Sequence, residues 1–317
     1  MISLFDADPK SYVPHRLHGD DRVFRETNCY ADVVIELLHA SGRDPVAVLG
    51  GAVAVDFEGD QWTFFKPSAQ ELEQLHGVDI HEMQPYRELP AHIVEQLRSG
   101  RTVIIELDAF YLPDVAATAY RREHVKSAAA VAAIDPEAER LRYFHNASLY
   151  ELDGDDFRGV LRTEPNGDGV LPPYVELVRF DRGRALVEEE LRDAARLFFR
   201  RHVERLPRTN PVIAFGRSLE ASIPRLLEAD DAAFHAYAFA TVRMAGAAFE
   251  LAADHVGWLF GDSAEAARNE LLELVGACKA LTFRLARRRP FDAATPIEEM
   301  ARTWERACDE LASLADS

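Results

Sequence analysis

The sequence predicts an α/β (α+β) N-terminal half followed by an all-α helical bundle. Before about residue 180, short apolar runs alternate with stretches of helical periodicity; beyond it, nearly every segment repeats its apolar residues at helical spacing. The 317 residues, 48% of them hydrophobic, are enough for one large core or two moderate ones. The division is expected as two domains, 1–178 and 179–317.

Asn28 precedes a helix expected from 30 to about 40, with Val33, Val34, Leu37 and Leu38 as its apolar stripe and Ser41-Gly42 as its stop. The run 46–57 is expected as a strand broken by Gly50-Gly51, and 61–65 as a second short one. Ser68 starts a helix, with Glu71 three residues on completing a capping box. Pro90 opens the next helix and Gly100 closes it after Leu97. A buried strand is expected over 102–107. The small-residue run 125–134 turns at Asp135-Pro136 and returns over 141–146 as an antiparallel hairpin. Gly154, Gly159, Gly167, Gly169 and Pro172-Pro173 mark a loop-rich boundary. Helices are then expected at about 184–205, 218–228, 231–260, 263–288 and 296–314, punctuated by Pro207, Pro211, Pro290 and Pro296, with Trp258 and Trp304 in their core.

Composition narrows the function classes. A formal charge of -18 disfavours general binding to nucleic acid or anionic membrane. Neither a basic start followed by an apolar stretch nor an apolar run of about 18 residues is present, so no secretory signal or membrane span is expected. Three scattered cysteines, Cys29, Cys278 and Cys308, do not make a disulfide framework, and a reducing bacterial cytoplasm is the expected compartment. There is no Walker A motif, dinucleotide glycine fingerprint or HExxH. His15 with His18, and His76 with His81, lack the further ligands that a metal site needs, so no metal is expected.

The chemistry is expected at Cys29. A thiol at a helix start meets free N–H groups and the positive end of the dipole, which lower its pKa; the alternative is a small buried packing residue. Cys278 and Cys308 lie within amphipathic helices and read as packing residues. His124, where the small-residue strand begins, is the expected base, against the alternative of a surface histidine. The return strand brings back Asn146 as orienter of the imidazole, with His145 and Ser148 as local competitors. The run 56–60 fails the calcium-loop pattern and reads as an acidic turn, unless Asp56 or Glu58 binds the ammonium of an amine acceptor. Arg284, Arg287, Arg288 and Arg289 suit a helix C-terminus; their functional alternative is a docking patch for an acidic carrier protein.

The segment Thr27-Asn28-Cys29-Tyr30 with its helix, the Gly50-Gly51 run, the stretch Leu107-Asp108-Ala109-Phe110-Tyr111-Leu112-Pro113 and the His124 hairpin together resemble the butirosin biosynthesis acyltransferase family (butirosin biosynthesis protein H). The N-terminal domain of that family is papain-like, related to the peptidase C39 fold, and the half from about Val175 is similar to the helical domain that follows it. The chain also resembles a bacterial family known only as a domain of unknown function. The first resemblance implies acyl or aminoacyl transfer, in specialised metabolism, from a carrier-protein phosphopantetheine thioester to a small amine through an acyl-Cys29. Cys29 would be nucleophile, His124 base and Asn146 orienter, with no cofactor bound to the chain itself. Many C39 relatives have an aspartate as orienter. Val23, Phe24 and Arg25 stand where papain-like peptidases place a glutamine, which leaves the Cys29 N–H and the Asn28 side chain as oxyanion donors. The alternatives are a papain-like cysteine hydrolase, peptidase or amidase, and a non-catalytic binding protein.

Overall fold

A computed structural model describes residues 1–163 and 172–317; Gly167 and Gly169 of the expected boundary loop lie outside the described residues. The chain forms two compact units. One comprises Met1–Asp20, Cys29–Pro45 and Ala69–Ala185; the other comprises Asp21–Asn28, Val46–Ser68 and Leu186–Ser317. Two segments of the N-terminal half therefore belong to the helical unit.

In the first unit, among the described residues, seven strands form one antiparallel sheet: β1 (Ile2–Ser3), β2 (Asp79–Glu82), β3 (Arg101–Asp108), β4 (Lys126–Asp135), β5 (Arg140–His145), β6 (Ser148–Asp153) and β7 (Val175–Arg179). Their order is β2-β7-β3-β4-β5-β6, with β1 also on β4. The helices are α1 (Cys29–Ala40), α2 (Ala69–His76), α3 (Leu89–Arg98) and α4 (Gly154–Leu161). β4 reads Lys-Ser-Ala-Ala-Ala-Val-Ala-Ala-Ile-Asp; its missing bulk lets α1 pack closely on β4 and β5. The strands β1, β2, β6 and β7 go beyond the sequence expectation. β6 follows β5 through a two-residue turn in which Asn146 takes the left-handed conformation (φ 49°), which asparagine tolerates better than most residues.

The expected strand at 46–57 is instead two short 3₁₀ turns, Pro45–Val48 and Gly50–Ala54. The run is apolar without alternation, and Val46, Ala47, Val48, Leu49 and Ala52 are all buried, so no edge is left for ladder pairing. A Cβ on Gly50 would lie 2.9 Å from His255 Nε2, which explains the glycine. The expected strand 61–65 is reduced to one bridge between Phe57 and Trp62. These two rings join Phe215 and Phe249 in an aromatic core.

The helices of the second unit are α5 (Glu188–Val203), α6 (Pro211–Glu228), α7 (Asp231–Ala238), α8 (Met244–Phe260), α9 (Glu265–Ala286) and α10 (Ala294–Asp316). α6 begins at Pro211, ahead of the expected 218, because the Asn210 side chain accepts from Val212 N (3.0 Å) and Pro211 suits the first helical position. The expected helix 231–260 is continuous but widens to a π turn over Phe239–Arg243. Trp304 is buried as expected; Trp258 is only half-buried, with the Arg192 guanidinium 5.4 Å from its ring centroid. Gly246 marks a close approach, since a Cβ there would fall 2.1 Å from the Phe24 ring. Gly246→Ala is expected to destabilise by about 1–3 kcal/mol despite the better helix propensity of alanine, as read by urea unfolding. Among the described residues no helix is long and apolar enough to cross a membrane.

Candidate functional site

α1 begins at Cys29 against the start of β4. The β4–β5 ladder begins at Ala129↔His145, so Lys126, Ser127 and Ala128 project beyond it. That overhang meets the thiol, and the Ala128 backbone and the Ser127 hydroxyl both act on it electrostatically. A polar series continues from there. Ser127 Oγ lies 2.7 Å from His145 Nε2, and His145 Nδ1 lies 2.5 Å from Asp114 Oδ2. The Tyr143 hydroxyl donates to the other Asp114 oxygen at 2.5 Å. Since Asp114 accepts the Nδ1 proton, Nε2 is left to accept the Ser127 hydroxyl proton. Cys29 is partly exposed, whereas Ser127, His145 and the Asp114 side chain are buried.

Strand alternation assembles this series. Ser127, Ala129 and Val131 share one face of β4, and their neighbours Tyr143 and His145 share the matching face of β5. Asp114 comes from the 3₁₀ turn Pro113–Val115 packed over that face. Burial and Asp114 together push the Tyr143 phenol far above its usual range.

The Cys29 thiol corrects one expectation. Burial raises its pKa; the Ala128 backbone bond, the Lys126 charge and the Ser127 hydroxyl oppose this, while Asp32 adds to it. The thiol thus lies above its ordinary value, not below it. Burial also pushes Cys278 and Cys308 up to about 12. Iodoacetamide is expected to label Cys29 first but slowly at pH 7, with the rate climbing continuously above pH 8. A plateau below pH 7, read by peptide mass mapping, would instead mean a preformed thiolate.

The other predicted residues fall as follows. His124 is largely exposed (side chain 68%), holds Asp108 Oδ2 through Nδ1 at 2.6 Å and stacks on Phe110 at 4.4 Å. Asp108 also caps the turn through Phe110 N. His124 lines an open groove of about 580 Å³ with Glu106, Asp108, Lys126, Arg162 and Tyr174. Lys126 lines this groove, and its charge acts on the Cys29 thiol. Asn146 occupies the β5–β6 turn, and the neighbour His145 makes the contact to β4. Asn28 is buried, and its amide donates to Phe65 O at 2.7 Å, which commits one of its two N–H groups. Asp56 accepts from its own Phe57 N–H, and Glu58 from Thr63 Oγ1, which ties both into the 57–62 turn. Arg288 binds Asp231 and the Ala229 carbonyl, and Arg287 caps α9; Arg284 borders a hollow beside Glu273 and Glu299, and Arg289 another beside Phe291.

His15 and His18 serve a buried cluster. Glu36, fully buried on α1, accepts from the Tyr12 hydroxyl, from His15 N (3.0 Å) and from His18 Nδ1 (2.5 Å); His18 Nε2 reaches Asp32 Oδ1 at 3.2 Å. Burial opposes protonation of His18, but the two carboxylates prevail and raise its pKa to about 9. Among the described residues no group of three or more His, Cys, Asp or Glu side chains is arranged to hold a metal ion.

Fold and site together define a mixed α/β protein with a thiol beside a buried Ser–His–Asp series. Family models match the chain over residues 13–180, the DUF1839 N-terminal domain, and over residues 188–313, the DUF1839 C-terminal domain. The chain belongs to the DUF1839 family. No curated protein matches it.

Proposed function

We propose that this protein is a cysteine-dependent acyltransferase in which Cys29 is the nucleophile and His145, acting through Ser127 and oriented by Asp114, is the base. The observation that carries this is the buried hydrogen-bonded series Ser127–His145–Asp114 beside the Cys29 thiol, on which Ser127 acts. As Cys29 sulfur attacks a thioester carbonyl, its proton passes to Ser127 oxygen while the Ser127 proton passes to His145 Nε2. Collapse of the tetrahedral adduct expels the donor thiolate, which takes a proton back along the same path. An amine then attacks acyl-Cys29, loses its proton to the base, and leaves an amide and the free thiol. The Cys29 N–H at the start of α1 suits the oxyanion.

The donor, as the butirosin acyltransferase resemblance implies, is a phosphopantetheine thioester on a carrier protein. The acceptor is a small amine, whose ammonium would compete with Lys126 for Glu106 and with His124 for Asp108 in the groove. Arg287 and Arg289 suit an acidic carrier; Arg288 is already committed to Asp231. The test is to incubate the protein with an acyl-loaded carrier and follow intact mass. An adduct on Cys29 that an amine discharges to an amide supports transfer. Free acid released at a rate no amine changes would replace it with the papain-like hydrolase alternative, and no adduct from any loaded carrier would overturn it. A second reading, favoured by the 2.7 Å Ser127–His145 contact, makes Ser127 the nucleophile; an adduct that persists in Cys29→Ala and disappears in Ser127→Ala would select it.

A further inference from the structure

The helical unit holds a cation that the thiol chemistry does not use. The π turn Phe239–Arg243 interrupts the hydrogen-bond ladder between α7 and α8, and such widened turns are frequent at functional sites. Within it, Thr241 Oγ1 donates to Tyr237 O at 2.6 Å, giving that carbonyl a side-chain donor. Arg243, the last residue of the turn, is half-buried. Its Nη2 donates to Thr27 Oγ1 at 3.3 Å, its guanidinium lies 5.8 Å from the Phe239 ring centroid, and its Nε is buried without an acceptor.

Among the described residues no carboxylate lies within ion-pair distance of Arg243. Other arginines of the unit differ: Arg22 has Asp254 and Glu250, Arg288 has Asp231, and Arg306 has Glu270 and Glu273. In a chain with 54 acidic residues against 36 basic ones, a half-buried arginine without an acid is poorly explained as a stabilising pair. Burial also lowers its pKa, the direction expected of a cation whose lost hydration no counter-charge replaces. Beside it the Phe239 ring is 44% exposed.

We propose that Arg243 and Phe239 form a binding site for an organic carboxylate. The guanidinium pairs with the carboxylate through its Nη groups, and the Phe239 ring covers the apolar body. One cation beside one exposed ring suits a singly charged, partly apolar anion. A phosphate dianion in so acidic a chain would call for more donors.

The test is calorimetric titration of the full chain with benzoate, inorganic phosphate and benzyl alcohol. Benzoate is expected to bind and the other two to bind at least tenfold more weakly. Arg243→Gln should weaken benzoate at least tenfold, Arg243→Lys less, and Phe239→Ala severalfold; the last alters an exposed side chain and keeps the test open should the arginine variants not fold. Without ligand, Arg243→Met should melt at the same temperature as the parent or higher, because it removes an uncompensated cation. A structural arginine would give the reverse. Benzoate that does not bind, that binds no better than phosphate, or that is indifferent to both Arg243→Gln and Phe239→Ala would overturn the site.

Discussion

His145→Ala is expected to slow acylation of Cys29 by a small thioester about 10²–10⁴-fold, the usual worth of a positioned general base. The resting thiol makes the effect large. Its pKa is raised by burial, and on the proposed reading its proton leaves along Ser127. Asp114→Asn should approach the same loss, because an amide facing Nδ1 disturbs the tautomer that leaves Nε2 free to accept. Ser127→Ala breaks the series in its middle and should match His145→Ala. Asn146→Gly should leave the rate nearly unchanged, since glycine adopts the turn's φ of 49° without strain. Stopped-time mass spectrometry of the adduct reads all four. A His145→Ala enzyme of parental rate, with the loss falling on His124→Ala, would return the base to the histidine at the groove.

Glu36→Ala is expected to destabilise the protein by about 3–5 kcal/mol, because it removes the shared acceptor of a buried cluster and leaves His18 facing Asp32 alone. Urea unfolding at pH 7 measures this, and a loss under about 1 kcal/mol would show the cluster to be dispensable. The same cluster sets a pH dependence. The folded His18 pKa of about 9 lies above the unfolded value of about 6.5, so its contribution is fully present below pH 6.5 and is lost as pH rises through 9. That difference corresponds to about 3 kcal/mol. His15 and His76 act in the opposite direction. Burial lowers both to about 4, so the fold holds them neutral, and stability falls as pH drops from 6.5 towards 4. Unfolding free energy should therefore peak near pH 6.5 and decline on both sides, the decline between pH 6.5 and about 8 disappearing in His18→Ala while that due to the buried thiols remains at higher pH.

Where one physical signal dominates, the sequence was legible. α1 shows its stripe and its start at Cys29; β3 is a continuous apolar run; the hairpin of β4 and β5 is announced by Asp135-Pro136. The strands β2 and β7 were not, because each is short and the pairing between them joins segments far apart in the chain. The 3₁₀ turns at 45–54 mimic a strand in composition, and only the absence of alternation separates them. At the site, Cys29 could be read from its helix. His145 was visible only as a competitor of Asn146, although an asparagine between two short strands is itself a turn signal. Ser127 becomes meaningful once the β4–β5 register is known, and Asp114 sits in a turn that carries no periodicity at all.

The interleaving of the two compact units bears on how the chain can be made. Residues 46–68 leave the ribosome early, yet the helices of their own unit begin only at Glu188 and end with Asp316. Throughout that interval an apolar stretch such as Val-Ala-Val-Leu-Gly-Gly-Ala-Val-Ala-Val has been synthesised before its packing partners exist. The helical unit cannot close over 46–68 until the helices through Asp316 have emerged, so its folding lags the synthesis of its first segments. Chaperone cover over 46–55 during synthesis, and a steep loss of stability on deleting α10, are the expected consequences of the order in which the segments appear.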